Sequence, residues 1–160
     1  MREYAARSLI LLFAPAVFAQ TVPEGWQIIK DTKNLCQIAV PAEWSQYGAG
    51  NGAAVLKDTG VAMAVVTSQP QQAFAPLPAA VVRVLDIPKE KLFENSAKRI
   101  FYQDKTSKGP EDANSYNFAV PGKTGTCSGH LTFLPSVTEE VARKIAMSLG
   151  PATDGHTGVE

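Results

Sequence analysis

Cys36 and Cys127 are the only cysteines in a chain of 160 residues, and each lies in a short run whose apolar residues alternate. Successive side chains of a strand point to opposite faces. Cys36, Ile38 and Val40 therefore share one side of their segment, and Cys127, Gly129, Leu131 and Phe133 share one side of theirs. Both sulfurs point with the apolar side. With two cysteines only one intramolecular bridge exists, and forming it forces these two strands together across about 90 residues of chain. Such a closure restricts the unfolded chain by roughly 4–5 kcal/mol.

Whether the thiols are joined depends on the compartment. The N-terminus carries Arg2 and Arg7 and then runs apolar from Ser8 to Ala19 (SLILLFAPAVFA), the pattern of an export signal. Val17 and Ala19 occupy the positions where small residues precede a cleavage site, so cleavage is expected after Ala19. About 20 apolar residues are needed to span a bilayer, and Pro15 interrupts this shorter run. No cysteine stands at the cleavage site to carry a lipid. The mature chain is expected to be soluble, without an integral membrane segment, in the periplasm or the medium. In an oxidising compartment a pair of cysteines is expected to bridge, and neither Cys-x-x-Cys spacing nor a histidine near Cys36 points to a metal or reactive thiol.

Charge excludes one class of partner. Lys+Arg and Asp+Glu number 15 each. Removing residues 1–19 takes away Arg2, Arg7 and Glu3, leaving 13 against 14, a net of −1. Nucleic-acid affinity rests on clustered basic residues that displace counterions, so none is expected. Residues 20–151 are read as a single domain and 152–160 as a disordered tail.

Periodicity supplies the elements. Residues 26–30 and 35–40 form a hairpin around the turn Asp31-Thr32-Lys33-Asn34, stopped by Pro41. Residues 53–57 and 61–66 form a second around Asp58-Thr59-Gly60, with Gly48 to Gly52 as a flexible lead-in. Residues 115–120 and 126–133 form a third around residues 121–125. Gln69 to Pro78 has three prolines and no charge and reads as an extended loop over one face of the domain. Leu92, Phe93, Ala97, Ile100 and Phe101 recur at helical spacing, which predicts a helix over 88–103 with Asp86 as N-cap. Ala79 to Leu85 fits helix and strand equally. Residues 105–114 are a polar loop. Ser136 and Glu139 match a capping box ahead of the apolar stripe Val137, Val141, Ile145 and Leu149, predicting a helix over 137–149 ended by Gly150-Pro151. The class is α+β: an antiparallel sheet built from hairpins, flanked by two helices and closed by one disulfide.

Val40-Pro41-Ala42-Glu43-Trp44 at a strand end, with a last helix reading residues 141–149 (VARKIAMSL), resembles the PsbP-like superfamily. The resemblance spans about residues 25–150 in element order. It implies an antiparallel sheet flanked by helices and a binding or assembly-accessory role, and it carries no functional residue onto this chain.

Catalytic motifs fail on context. Gly122-Lys123-Thr124 lacks the earlier glycine of a phosphate loop, Asn117 standing there, and precedes a strand instead of a helix. Lys123-Thr124-Gly125 suggests a β-lactamase-type strand, but no serine has lysine three positions on. Glu111-Asp112 lies in a polar loop, and Glu139-Glu140 complements a helix dipole. His156 belongs to the tail. His130 points opposite Cys127 and shares its face with Ser128, a pair that leaves a small exported hydrolase as one alternative. The aromatics Trp26, Trp44, Tyr47, Phe74, Tyr102 and Tyr116 are candidates to line a groove beneath loop 69–78. Trp44, Tyr47, Phe74 and His130 are the ligand-face candidates. No cofactor or metal is expected. The favoured reading is a non-catalytic binding or accessory module of the cell envelope, its partner an envelope protein or a small ligand; a purely structural envelope component is the other alternative.

Overall fold

The computed structural model describes residues 22–49, 52–57, 61–104 and 112–153, with the backbone alone at 47–49 and 52–57. The expected export segment at 1–19, the turn predicted at 58–60, residues 105–111 and the rest of the expected tail from 154 lie outside the described residues.

Among the described residues, ten strands form two antiparallel sheets. β1 (Trp26–Lys30) pairs β2 (Cys36–Pro41), which also pairs the short β10 (Gly150–Pro151). The large sheet has the order β3-β4-β5-β9-β8-β7-β6. Its strands are β3 (Ser45–Ala49), β4 (Gly52–Lys57), β5 (Ala62–Gln69), β6 (Leu92–Asn95), β7 (Ile100–Asp104), β8 (Asn114–Pro121) and β9 (Thr126–Phe133). The helices among the described residues are α1 (Ala79–Val84) and α2 (Glu139–Met147), with a 3-10 turn at Lys89–Lys91. The three predicted hairpins stand as β1–β2, β4–β5 and β8–β9. The described residues are thus dominated by antiparallel sheet, with little helix.

The small sheet and α2 cover one face of the large sheet. Ala64, Val66, Phe101, Tyr116, Phe118, Cys127, Leu131 and Phe133 meet Ile38, Val40, Ala142, Ile145, Ala146 and Leu149 in one buried cluster. Full burial of a side chain such as Ile38, Leu131 or Ile145 contributes about 1.5–3 kcal/mol. Cys36 and Cys127 are bonded inside this cluster, with Cα atoms 5.6 Å apart, joining β2 of the small sheet to β9 of the large one. Gly129 lies opposite Phe118 in the β8–β9 ladder, and a β-carbon at 129 would overlap the Phe118 ring. The ring fills the place that a side chain at 129 would take.

The helix expected over 88–103 does not form. Ser96 takes the apex of a tight turn: its N–H donates to the Arg99 carbonyl at 2.9 Å, and its Oγ accepts from the Lys98 and Arg99 amides. Hydroxyls that bond nearby amides in this way compete with helix. The apolar residues on either side, Leu92-Phe93 and Ile100-Phe101, become β6 and β7. Phe93 and Phe101 rings then meet at 4.8 Å, and both pack edge-on against Tyr116. Strand propensity and cross-strand aromatic contact outweigh a helical spacing that depended on Ala97, a turn residue.

Asp86 is not an N-cap. It ends α1 in the left-handed region (φ +47), with its N–H on the Arg83 carbonyl and the Ile87 N–H on Val82, the two bonds of a Schellman motif. Nor does Ser136 cap the last helix. Val137 closes a turn onto Leu134, so the helix begins later, and the Thr138 Oγ accepts from the Val141 amide. Glu139 is left to pair with Arg143 at 2.7 Å. At the other end Ser148 is the cap and Gly150-Pro151 a strand, not a terminator. Ala152, at the start of the expected tail, is buried, its N–H on the Leu35 carbonyl, and Thr153 bonds the buried Gln37. The expected lead-in from Gly48 belongs to β3 as far as Ala49 and to β4 from Gly52.

Candidate functional site

The register of the large sheet decides which residues face away from the core. Tyr102, Asn117, His130 and Val65 lie directly opposite one another along β7, β8, β9 and β5 and so share the outer face. Two residues further along each strand, Ile100, Ala119, Ser128 and Thr67 do the same. Over this face runs the proline-rich segment 70–78, as its composition predicts.

The segment is fastened at both ends. The Thr126 hydroxyl donates to the Gln72 carbonyl at 2.7 Å. The Asn95 side chain bonds both backbone groups of Leu77, accepting from its N–H at 2.8 Å and donating to its carbonyl at 3.0 Å. Between the clasps Phe74 and Leu77 are half-buried, while Ala73, Ala75 and Pro76 are exposed. An inward residue every third position is the period of polyproline II, and Pro78 has that geometry (φ −59, ψ 147). Gly125 permits the first clasp. It has φ +76, and a side chain there would collide with the Gln69 carbonyl and Pro70.

Strap and sheet enclose an open cleft of about 480 Å³. Phe74, Pro76, Leu77, Ile100, Tyr102 and Ala119 supply its apolar lining; Gln69, Gln72, Asn117, Thr126 and Ser128 supply polar groups. No lining residue is charged.

His130 stands behind this cleft. Its Nδ1 lies 3.0 Å from the Asn117 Oδ1 and its Nε2 3.0 Å from the Thr132 Oγ1. The Asn117 amide nitrogen turns to Asp104, so its oxygen accepts from Nδ1–H and Nε2 accepts the Thr132 hydroxyl proton. Burial pushes the imidazole below the usual histidine range, and the Asp104 carboxylate pulls weakly the other way. The ring is thus held neutral, with both nitrogens engaged by residues other than Ser128. Tyr102, half-buried and near the same Asp104, has its phenol pushed up for the same two reasons, burial first.

The predicted ligand-face residues separate. Phe74 and Tyr102 line the cleft, and His130 supports it through Asn117. Trp44 lies on the opposite side of the large sheet, 2 % exposed, beside a small cavity of about 150 Å³ with Pro41, Ser136 and Val141. Its indole N–H has no acceptor among the described residues. Tyr116 is buried among aromatics in the core, and Trp26 packs against the core's edge. Tyr47 lies on β3 opposite Ala54, two strands from β5, the nearest strand to line the cleft. Asn95 and Thr126, which hold the strap, were not singled out from sequence; a lone amide or hydroxyl carries no pattern until its partner's position is known.

The described residues contain no group of three or more His, Cys, Asp or Glu side chains placed to hold a metal. No helix among them is long and apolar enough to cross a membrane. Compared with protein-family models, curated proteins and solved structures, the chain has no significant match.

Proposed function

We propose that this chain is an exported, non-catalytic binding module of the cell envelope that holds its ligand between the 70–78 strap and the outer face of the large sheet. The observation that carries the reading is the strap itself, clasped by Thr126 and Asn95 at its ends yet leaving an open cleft beneath its centre. Concave, mostly apolar sites with a few placed polar groups are the usual form of a small-ligand site. Export after cleavage near Ala19 fits the bridged cysteines, since disulfides persist in oxidising compartments. An accessory role is also what the PsbP-like resemblance implies.

The hydrolase alternative draws on Ser128 and His130. It is weakened by the histidine's two bonds to Asn117 and Thr132, which leave no ring nitrogen to activate the serine.

The reading is tested by thermal-shift screening of the mature protein against small envelope metabolites, beside an Ala119→Trp variant that fills the cleft. A ligand that raises Tm for the parent chain and not for the variant supports it. Turnover of an acyl ester that disappears in both Ser128→Ala and His130→Ala overturns it in favour of the hydrolase. N-terminal sequencing of exported protein should begin at Gln20.

A further inference from the structure

We infer that the cleft takes an uncharged saccharide; the inference rests on the binding reading above and names its ligand class. In a chain that is 19% charged, a cleft of this size whose lining carries no charge is selective by construction. An ionic ligand entering it loses hydration and meets no counter-charge, a heavy penalty for any buried ion. The polar groups present are amides and hydroxyls. Gln69 and Gln72 stand at one end, and Ser128 with its hydroxyl and Tyr102 with its phenol line the floor. Sugar hydroxyls both donate and accept, and this mixed set matches them. A lipid tail would leave such groups unpaired, which costs affinity.

The two aromatics complete the match. Phe74 comes from the strap and Tyr102 from the sheet, so a ligand in the cleft lies between rings from opposite walls. The C–H face of a pyranose packs on an aromatic ring while its edge hydroxyls stay free to bond, and tyrosine adds a polar tip to an apolar body. Asn117 is held by His130 and Asp104, so its part of the floor is rigid before a ligand arrives, and preorganisation lowers the cost of binding.

Calorimetric titration of the mature protein tests this with N,N′-diacetylchitobiose, maltose and cellobiose as neutral probes, digalacturonate as an anionic one, and a blocked trialanine peptide. At least one neutral disaccharide should bind, and Phe74→Ala and Tyr102→Ala should each weaken it about tenfold with an unchanged far-UV circular dichroism spectrum. Tyr102→Phe should lose less than Tyr102→Ala, since it keeps the ring. Failure of all three neutral disaccharides overturns the inference, as does digalacturonate binding equally well. Binding of the peptide alone overturns the saccharide and leaves the cleft reading standing; absence of any ligand in the thermal-shift screen removes that reading as well.

Discussion

The Ser68 hydroxyl donates to the Asp31 carboxylate at 2.6 Å, joining the β1–β2 turn to β5. Asp31 also accepts from the Leu35 and Cys36 amides at 2.8 and 2.9 Å. Ser68 lies opposite Cys127 in the β5–β9 ladder, so this polar clasp and the disulfide run side by side between the two sheets. Asp31 is 2 % exposed. A buried carboxylate is tolerated there because its lone pairs are used.

That clasp makes the fold acid-sensitive. Burial pushes the Asp31 carboxyl up, but the Ser68 hydroxyl and the Cys36, Leu35 and Lys33 amides together outweigh it and hold the group below its ordinary value of 3.8. A carboxyl depressed in the folded state stabilises fully above its unfolded value, and that contribution is lost as pH falls through the folded one. Urea denaturation should show Ser68→Ala costing about 1.5–3 kcal/mol at pH 7. The stability gap between the parent chain and Asp31→Asn should narrow as pH falls below 3.8.

The disulfide closes a loop with its ends 91 residues apart in sequence. Replacing both cysteines by alanine should lower stability by about 4–5 kcal/mol, read as a lower urea midpoint. Reductant should lower the parent chain's midpoint and leave the double variant's unchanged.

Arg99 ties the β6–β7 turn to the last helix. Its guanidinium donates to the Ala146 and Met147 carbonyls at 3.0 and 3.2 Å, with Glu94 at 3.9 Å. Two terminal carbonyls of α2 are thereby satisfied. Arg99→Ala should cost about 1–3 kcal/mol by thermal or urea unfolding. Arg99→Lys should recover less than half of it, because one ammonium does not reproduce a planar fork.

The sheet core was legible in the sequence because strand parity is local. Cys36, Ile38, Val40, Cys127, Leu131 and Phe133 all point inward as alternation requires. The strap was legible through its prolines. What sequence misread was set by distant partners: Leu92 to Phe101 fits a helix until Phe93 and Phe101 meet Tyr116, and Gly150-Pro151 reads as a stop until β2 offers an edge. Trp44 and Phe74 look equivalent in one dimension. The sheet separates them, one within the core layer and one over the outer face.

His130 gives a second and milder pH window. Burial lowers its pKa from 6.5, with Asp104 opposing. A histidine depressed in the folded state binds its proton more readily once unfolded, so stability is fully present above the unfolded value and declines as pH falls through it. Stability should therefore begin to fall near pH 6.5, well above the Asp31 window. His130→Gln, which keeps one donor and one acceptor, should flatten that first decline. NMR titration of the ring should place its midpoint below the ordinary histidine value.

Gly125 offers a test of whether the strap depends on the β8–β9 turn. The turn is closed by the Gly122 amide on the Gly125 carbonyl at 2.8 Å, and its last residue, with φ +76, sits against the Gln69 carbonyl and the Pro70 backbone. Gly125→Ala has two costs, backbone strain of roughly 1–2 kcal/mol and displacement of residues 69–70 by the new methyl. Gly25, also at positive φ (+76) but with open space around its α-carbon, isolates the first. Gly125→Ala should destabilise more than Gly25→Ala in urea unfolding. It should also raise amide hydrogen exchange across the strap, from Gln72 to Leu77, where Gly25→Ala leaves it unchanged. Equal behaviour of the two variants would mean that the strap does not depend on the close approach of Gly125.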